Sequence, residues 1–185
     1  MRNIAISTVL AITGLGVLSS CGESEAAGTA PPAPEKQALG SIRNLSVTDG
    51  FYLCGQPQES DIALLADKGV KTVIDLRMPD EARGFDEAAV VEAAGITYQS
   101  VPFRTGELTD EVLDELRALL NETANQPTVL HCGGANRVGA VWYANRVLDQ
   151  GIDEETALAE AKAVGLSNAA MEQQAKDYVT RNKKD

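Results

Sequence analysis

The chain has 185 residues, with 16 Lys and Arg against 27 Asp and Glu, a formal net charge of −11. That acidity argues against nucleic acid as a partner, because phosphate backbones are bound by excess Lys and Arg, and against adhesion to anionic lipid by charge. One histidine and three cysteines make no set with zinc-site spacing, so neither a metal nor another cofactor is expected.

The N-terminus carries a targeting pattern. Arg2 is followed by an apolar stretch, Ile4 to Val17, and then Leu18-Ser19-Ser20-Cys21. A basic start, a short apolar core and small residues at a cleavage point are the secretory order, and the stretch is short for a membrane span. Leu18-Ser19-Ser20-Cys21 resembles the lipobox of bacterial lipoproteins. By that resemblance residues 1–20 are removed and Cys21 is lipidated, leaving the lipid anchor as the membrane attachment. Gly22 after the cysteine resembles outer-membrane sorting if the envelope is Gram-negative. Residues 21–39, with Ala26-Ala27, Pro31-Pro32 and Pro34, read as a flexible tether. Residues 40–185 are one domain's worth of chain.

Within that domain strand and helix signals alternate. Phe51 to Cys54 is a short apolar run ending at the turn Gly55-Gln56-Pro57. Ser60 is placed to cap a helix running to Asp67, with Ile62, Leu64 and Leu65 inward and Gly69 ending it. Val70 to Leu76 reads as a buried strand, Asp86 to Ala94 as a helix, and Ile96 to Val101 as a strand stopped by Pro102. Thr109 caps a helix whose Val112, Leu113, Leu116, Leu119 and Leu120 form one apolar stripe. Thr128 to Leu130 is the last strand. Three helices follow, from Val138, from Asp153 or Glu154, and from Asn168. This order predicts an α/β domain with a mainly parallel central sheet flanked by helices on both faces.

The segment with chemistry in it is His131-Cys132-Gly133-Gly134-Ala135-Asn136-Arg137. A strand delivers a cysteine into a tight turn and a helix starts at once. Two glycines and an alanine let the backbone fold inward so that its N–H groups converge, and the helix start adds partial positive charge. Arg137 can close the ring with a planar fork suited to an oxyanion. The same field favours thiolate at Cys132 and makes it a nucleophile.

This loop resembles the signature of the cysteine-dependent protein tyrosine and dual-specificity phosphatases. Gly55-Gln56-Pro57, the run Gly69 to Arg77, and Ala94-Gly95-Ile96-Thr97-Tyr98 with Pro102 resemble the bacterial phosphatase-like domains of the beta-lactamase hydrolase-like group. The resemblance covers residues 48–180 and implies the protein-tyrosine-phosphatase fold and hydrolysis of phosphotyrosine-like or other phosphomonoesters through a cysteinyl-phosphate. It makes Cys132 the nucleophile, Arg137 the phosphate clamp, His131 the residue that orients the loop and supports the thiolate, and the amides of Gly133, Gly134, Ala135, Asn136 and Arg137 the oxyanion cage.

The pattern departs from that family in three places. Four residues separate Cys132 from Arg137 where five are usual, and four is the spacing of rhodanese-type sulfurtransferases. Val138 stands where a hydroxyl residue usually aids departure of the thiolate. The loop after the Ile96 to Val101 strand lacks the family's acidic Asp, and Glu107 is the nearest carboxylate, with Asp110 behind it. Two other functions therefore stay open: a sulfurtransferase working through a Cys132 persulfide, and an anion-binding domain without turnover. Asp75 and Arg77 either line the site or, the favoured reading, pair and fix their strand end. Cys54 is either a buried thiol or a disulfide partner for Cys132.

Overall fold

The computed structural model describes residues 30–183. The signal segment, Cys21 and the start of the tether lie outside the described residues. Six strands form one sheet in the order β1-β2-β3-β6-β4-β5, where β1 is Glu35–Lys36, β2 Ser46–Thr48, β3 Phe51–Gly55, β4 Thr72–Asp75, β5 Thr97–Ser100 and β6 Thr128–Cys132. β1, β2 and β3 pair antiparallel, and β3, β6, β4 and β5 run parallel. The mainly parallel sheet anticipated from the sequence is present.

Alternation along each strand divides the core in two. Leu53, Ile74 and Leu130 point to one face, and Cys54, Val73 and Val129 to the other. The second face is covered by α1 (Glu59–Asp67) and α2 (Glu87–Ala93), which contribute Ile62, Leu65 and Val91. The first is covered by α3 (Asp110–Asn121), α4 (Asn136–Leu148), α5 (Glu154–Val164) and α6 (Ala169–Asn182). The apolar stripe of α3 is real: Leu113, Leu116 and Leu120 are buried, and the Thr109 hydroxyl accepts from the Val112 N–H.

α4 is the axis of this half. Every residue from Arg137 to Val147 is buried, because the helix lies between the sheet and the other helices. Trp142 and Tyr143 are wholly internal, and the Trp142 ring meets Phe51 of β3 edge-on at 5.4 Å. Gly139 permits this: a Cβ there would come within 2.6 Å of the Ala161 carbonyl oxygen and 2.8 Å of Leu166.

Two expectations need correction. Residues 31–39 are not free chain. Glu35–Lys36 pair with β2, the Thr48 hydroxyl donates to the Pro32 carbonyl, and the buried Arg146 donates to that of Pro31. Their few apolar residues hid this, since the segment is fixed by main-chain groups. The α1 cap is Gln58, two residues before Ser60, and the Asp61 carboxylate accepts from the Gln58 N–H at 2.9 Å.

Candidate active site

The parallel strands β3, β6 and β4 end at one edge, the usual position for a site in an open α/β sheet. β6 runs through Cys132, and α4 begins at Asn136 with Ala135 in the left-handed region at φ 72°. The loop lies flat against Gly55, where a Cβ would be 3.1 Å from the Arg43 carbonyl and 3.3 Å from that of Gly133. The Gly134 carbonyl accepts from Asn44 Nδ2 at 3.0 Å, and the Gly133 carbonyl from Arg43 Nη2 at 3.4 Å. An antiparallel bridge between Gly134 and Gly55 seats the loop on β3. The first-turn amides of α4 have no partner within their own helix and remain available at the loop. Asn136 Oδ1 accepts from the amides of Ser167 and Asn168, tying the loop to the α5–α6 turn.

Arg137 is the best-organised side chain at the site. Nη1 donates to the carbonyls of Leu76 (2.9 Å) and Phe103 (3.0 Å) and to Glu81 Oε1 (2.7 Å), while Nη2 donates to Glu81 Oε2 (2.8 Å). Glu81 thus grips the end of the guanidinium. Nε and the second Nη2 hydrogen have no oxygen or nitrogen acceptor among the described residues, the Cys132 sulfur being the group near them, and they lie on the side edge of the fork, the edge that fits a tetrahedral oxyanion. Burial would pull the guanidinium's pKa down, but the Glu81 hydrogen bonds and the nearby Cys132 sulfur more than offset it. In return the Arg137 hydrogen bonds, against some burial, hold the Glu81 carboxyl at about 2. Arg77 Nε also reaches Glu81, at 3.4 Å.

Other expected residues fall elsewhere. His131 points to the opposite sheet face from Cys132, beneath α1 and α2, because strand neighbours alternate. Its Nε2 is 3.1 Å from Glu87 Oε1 and 3.8 Å from Asp75 Oδ1, all fully buried. Asp75 does not pair with the Arg77 side chain. Its Oδ1 takes the Arg77 N–H, and its Oδ2 takes Arg83 Nε and Nη2 and the Tyr98 hydroxyl. Ligand atoms of Asp75, Glu87 and His131 lie within 4.8 Å of one another, but Arg83 already supplies a cation there, and we assign no metal. Cys54 and Cys132 are both free thiols on opposite faces of the sheet, so a bridge between them would require the backbone to rearrange.

Glu107 is exposed in the turn Arg104–Glu107 and makes no hydrogen bond through its carboxylate among the described residues. The loop that carries it meets the site through the Phe103 carbonyl on Arg137 and through an Arg104–Asp80 ion pair of 2.9 Å. The sequence reading missed Glu81, Arg83 and Glu87. Glu81 and Arg83 lie between β4 and α2, and Glu87 opens α2, in a stretch with little apolar periodicity; the one usable signal was the density of charge just after a strand end that faces the site.

Residues 33–179 match the family model described as "DSP-PTPase phosphatase fused to NAD+ Kinase". The chain is 29% identical over 158 residues to the dual specificity protein phosphatase TpbA of Pseudomonas aeruginosa, covering 84% of this chain and 70% of that protein. It is 24% identical over 134 residues to the beta-lactamase hydrolase-like protein of Xylella fastidiosa, spanning 69% of this chain and 31% of that one. A crystal structure of P. aeruginosa TpbA in complex with pTyr superposes with a TM-score of 0.64 at 28% identity, covering 84% of this chain and 93% of that chain. The mainly parallel sheet agrees with these likenesses: the chain belongs to the DSP-PTPase phosphatase family, on a protein-tyrosine-phosphatase fold.

Proposed function

We propose that the chain is a cysteine-dependent phosphatase whose nucleophile is Cys132 and whose substrates are phosphotyrosine-like or other phosphomonoesters. The observation that carries this is the Nε–Nη2 edge of Arg137, set beside Cys132 at the start of α4 while Glu81 holds the end of the guanidinium. Bound phosphate places two oxygens on Nε and Nη2 and the third among the loop amides. The Cys132 thiolate attacks phosphorus, the S–P bond forms as the ester P–O bond breaks, and the leaving oxygen takes a proton from water to depart as the alcohol. Water then attacks phosphorus, the S–P bond breaks, and inorganic phosphate leaves as the thiolate is regenerated. The likeness to TpbA, solved with pTyr, supports the substrate class.

Among the described residues no carboxylic acid is held over the leaving group, since Glu107 is exposed and Glu81 is ionised on Arg137. A placed general acid is worth about 10²–10⁴-fold, and its loss falls hardest on basic leaving groups. Hydrolysis should therefore drop steeply from p-nitrophenyl to phenyl phosphate, while Glu107→Gln changes the rate less than about twofold, because the acid it removes is not placed to contribute that factor.

The deciding assay uses the full reduced chain, p-nitrophenyl phosphate hydrolysis, and sulfur transfer from thiosulfate to cyanide. Hydrolysis abolished by Cys132→Ser is expected. Hydrolysis surviving that substitution, or sulfur transfer without hydrolysis, overturns the reading. We also propose, from Leu18-Ser19-Ser20-Cys21 alone, that the protein is exported and lipid-anchored through Cys21. Several acyl chains, at about 0.8 kcal/mol per buried CH₂, hold a soluble domain at a membrane. Incorporation of labelled palmitate that persists in Cys21→Ser would refute it.

A further inference from the structure

The connection between β1 and β2, residues 37–45, walls the anion loop on its β3 side, and the proposed chemical steps use none of its side chains. Lys36 pairs with Ser46 and Ser46 with Leu53, just before Gly55, which stands beside Cys132. The connection therefore turns over at the edge of the sheet where the nucleophile lies. It is firmly held. Ser41 donates its N–H and its hydroxyl to the two oxygens of Asp61 in α1, each at 2.8 Å, and Ile42 and Leu45 are buried. Asn44 sits at φ 54°, in the left-handed region that few residues with side chains adopt.

This wall carries cations that no carboxylate neutralises. Arg77, Arg83, Arg104 and Arg137, also at this edge, each meet an acid at 3.4 Å or less. Arg43 and Lys36 have no such partner among the described residues and rest on carbonyls instead. Arg43 Nη2 donates to Gly133 at 3.4 Å, and Lys36 Nζ donates to Asn44 and Val164, each at 3.3 Å. Both side chains are exposed, and the remaining N–H groups of Arg43 have no protein acceptor among the described residues.

The two cations flank the loop. Arg43 lies at Gly133, the residue after the nucleophile. Lys36 lies against the end of α5, next to Gly165, where a Cβ would come 3.0 Å from that of Ala135. Across the loop, on the β4 and β5 side, Arg104 is tied to Asp80 and Glu107 is exposed. The mouth is thus positive on its β3 side and neutral to negative on the other, in a chain whose formal net charge is −11. A carboxylate compensates a cation better than a carbonyl does, and a guanidinium fork takes both carboxylate oxygens at once.

We propose that Arg43, with Lys36 behind it, is a specificity-determining residue that receives a carboxylate next to the phosphorylated group, so that the preferred substrates are acidic phosphopeptides. The inference rests on the phosphatase reading and narrows it to that class. With the phosphate between Cys132 and Arg137, the side chain of a neighbouring peptide residue comes within reach of the Arg43 fork. An acidic side chain there replaces the Gly133 carbonyl as the partner of Arg43, and Lys36 adds a second positive charge on the same side. An acidic peptide directed the other way meets Asp80 and Glu107, so the lopsided rim also sets which side of the mouth the acid occupies.

The test measures binding by calorimetry to the full reduced chain carrying Cys132→Ser, with a phosphotyrosine peptide flanked by Glu and the same peptide flanked by Gln. No turnover is needed, so the result stands apart from hydrolysis of p-nitrophenyl phosphate, which tests the phosphatase reading by itself. The Glu peptide should bind about fivefold or more tightly at 20 mM salt, and the advantage should shrink below about twofold at 0.5 M. Adding Arg43→Gln should remove most of the preference, while Arg43→Glu should turn it toward a peptide flanked by Lys. Each preference is a ratio taken on one variant, so a general weakening of the loop cancels. Equal binding of the Glu and Gln peptides overturns the proposal, as does binding of neither. A preference that survives Arg43→Glu overturns it too. Should an Arg43 variant fail to fold, the wild-type preference and its loss with salt still decide.

Discussion

Arg137 gives one edge of its guanidinium to Glu81 and, on the proposed reading, the other to substrate, and the geometry says why lysine could not replace it. Glu81 occupies the end of the fork, the Leu76 and Phe103 carbonyls take Nη1, and the side edge is left for substrate. An ammonium offers three donors at one point and cannot span both edges. Arg137→Lys should lower kcat/KM on p-nitrophenyl phosphate by about 10²-fold or more, with the fold intact by circular dichroism. Glu81 carries a pH signature of the same contact. Its carboxyl is held at about 2 against an ordinary 4.5, chiefly by the Arg137 hydrogen bonds. A depressed folded value contributes stability that is present above the unfolded value and lost as pH falls through the folded one. The gap in urea midpoint between wild type and Glu81→Gln should therefore be widest above pH 5 and close as pH approaches 2. A gap independent of pH would detach Glu81 from Arg137. None of this was legible in the sequence, because Glu81 stands 56 positions from its partner and one of several acids in a charged loop.

At the scale of elements, the anion loop is set by what packs against it. Gly55 lets the loop lie flat on β3, Arg43 and Asn44 turn two carbonyls outward, and Asn136 pins the helix start to the α5–α6 turn. The sequence announced the strand, turn and helix through Thr128–Leu130, the paired glycines and the apolar run after Val138. It under-read β6, which continues through Cys132, and α4, which starts at Asn136. The buried helix shows little amphipathic pattern because nearly every side of it is covered. A Cβ at Gly139 would lie 2.6 Å from the Ala161 carbonyl oxygen and 2.8 Å from Leu166, so Gly139→Ala must push one of them aside. That overpacking should cost about 1–3 kcal/mol in urea unfolding, against the small gain that alanine brings to an ordinary helix.

Across the whole molecule, the segment before residue 40 belongs to the fold. β1 extends the sheet, Lys36 reaches the Val164 carbonyl, and Arg146, bound to Glu160 and stacked on Trp142, donates to Pro31. A chain begun at residue 40 should unfold at lower urea than one begun at residue 30, by about 1 kcal/mol or more, since buried donors lose their acceptors. Equal midpoints would make the strap ornamental. By itself the sequence determined the alternating order of strands and helices, the parallel sheet, and the nucleophile loop, because periodicity, caps and turn residues are local and legible in the chain. Only the tertiary structure decided which acid holds Arg137, that Asp75 pairs with Arg83, that His131 faces Glu87 away from the sulfur, and that Glu107 stands in solvent. Those outcomes depend on charges far apart in the chain meeting at the ends of adjacent strands, and no short window of sequence encodes such a meeting.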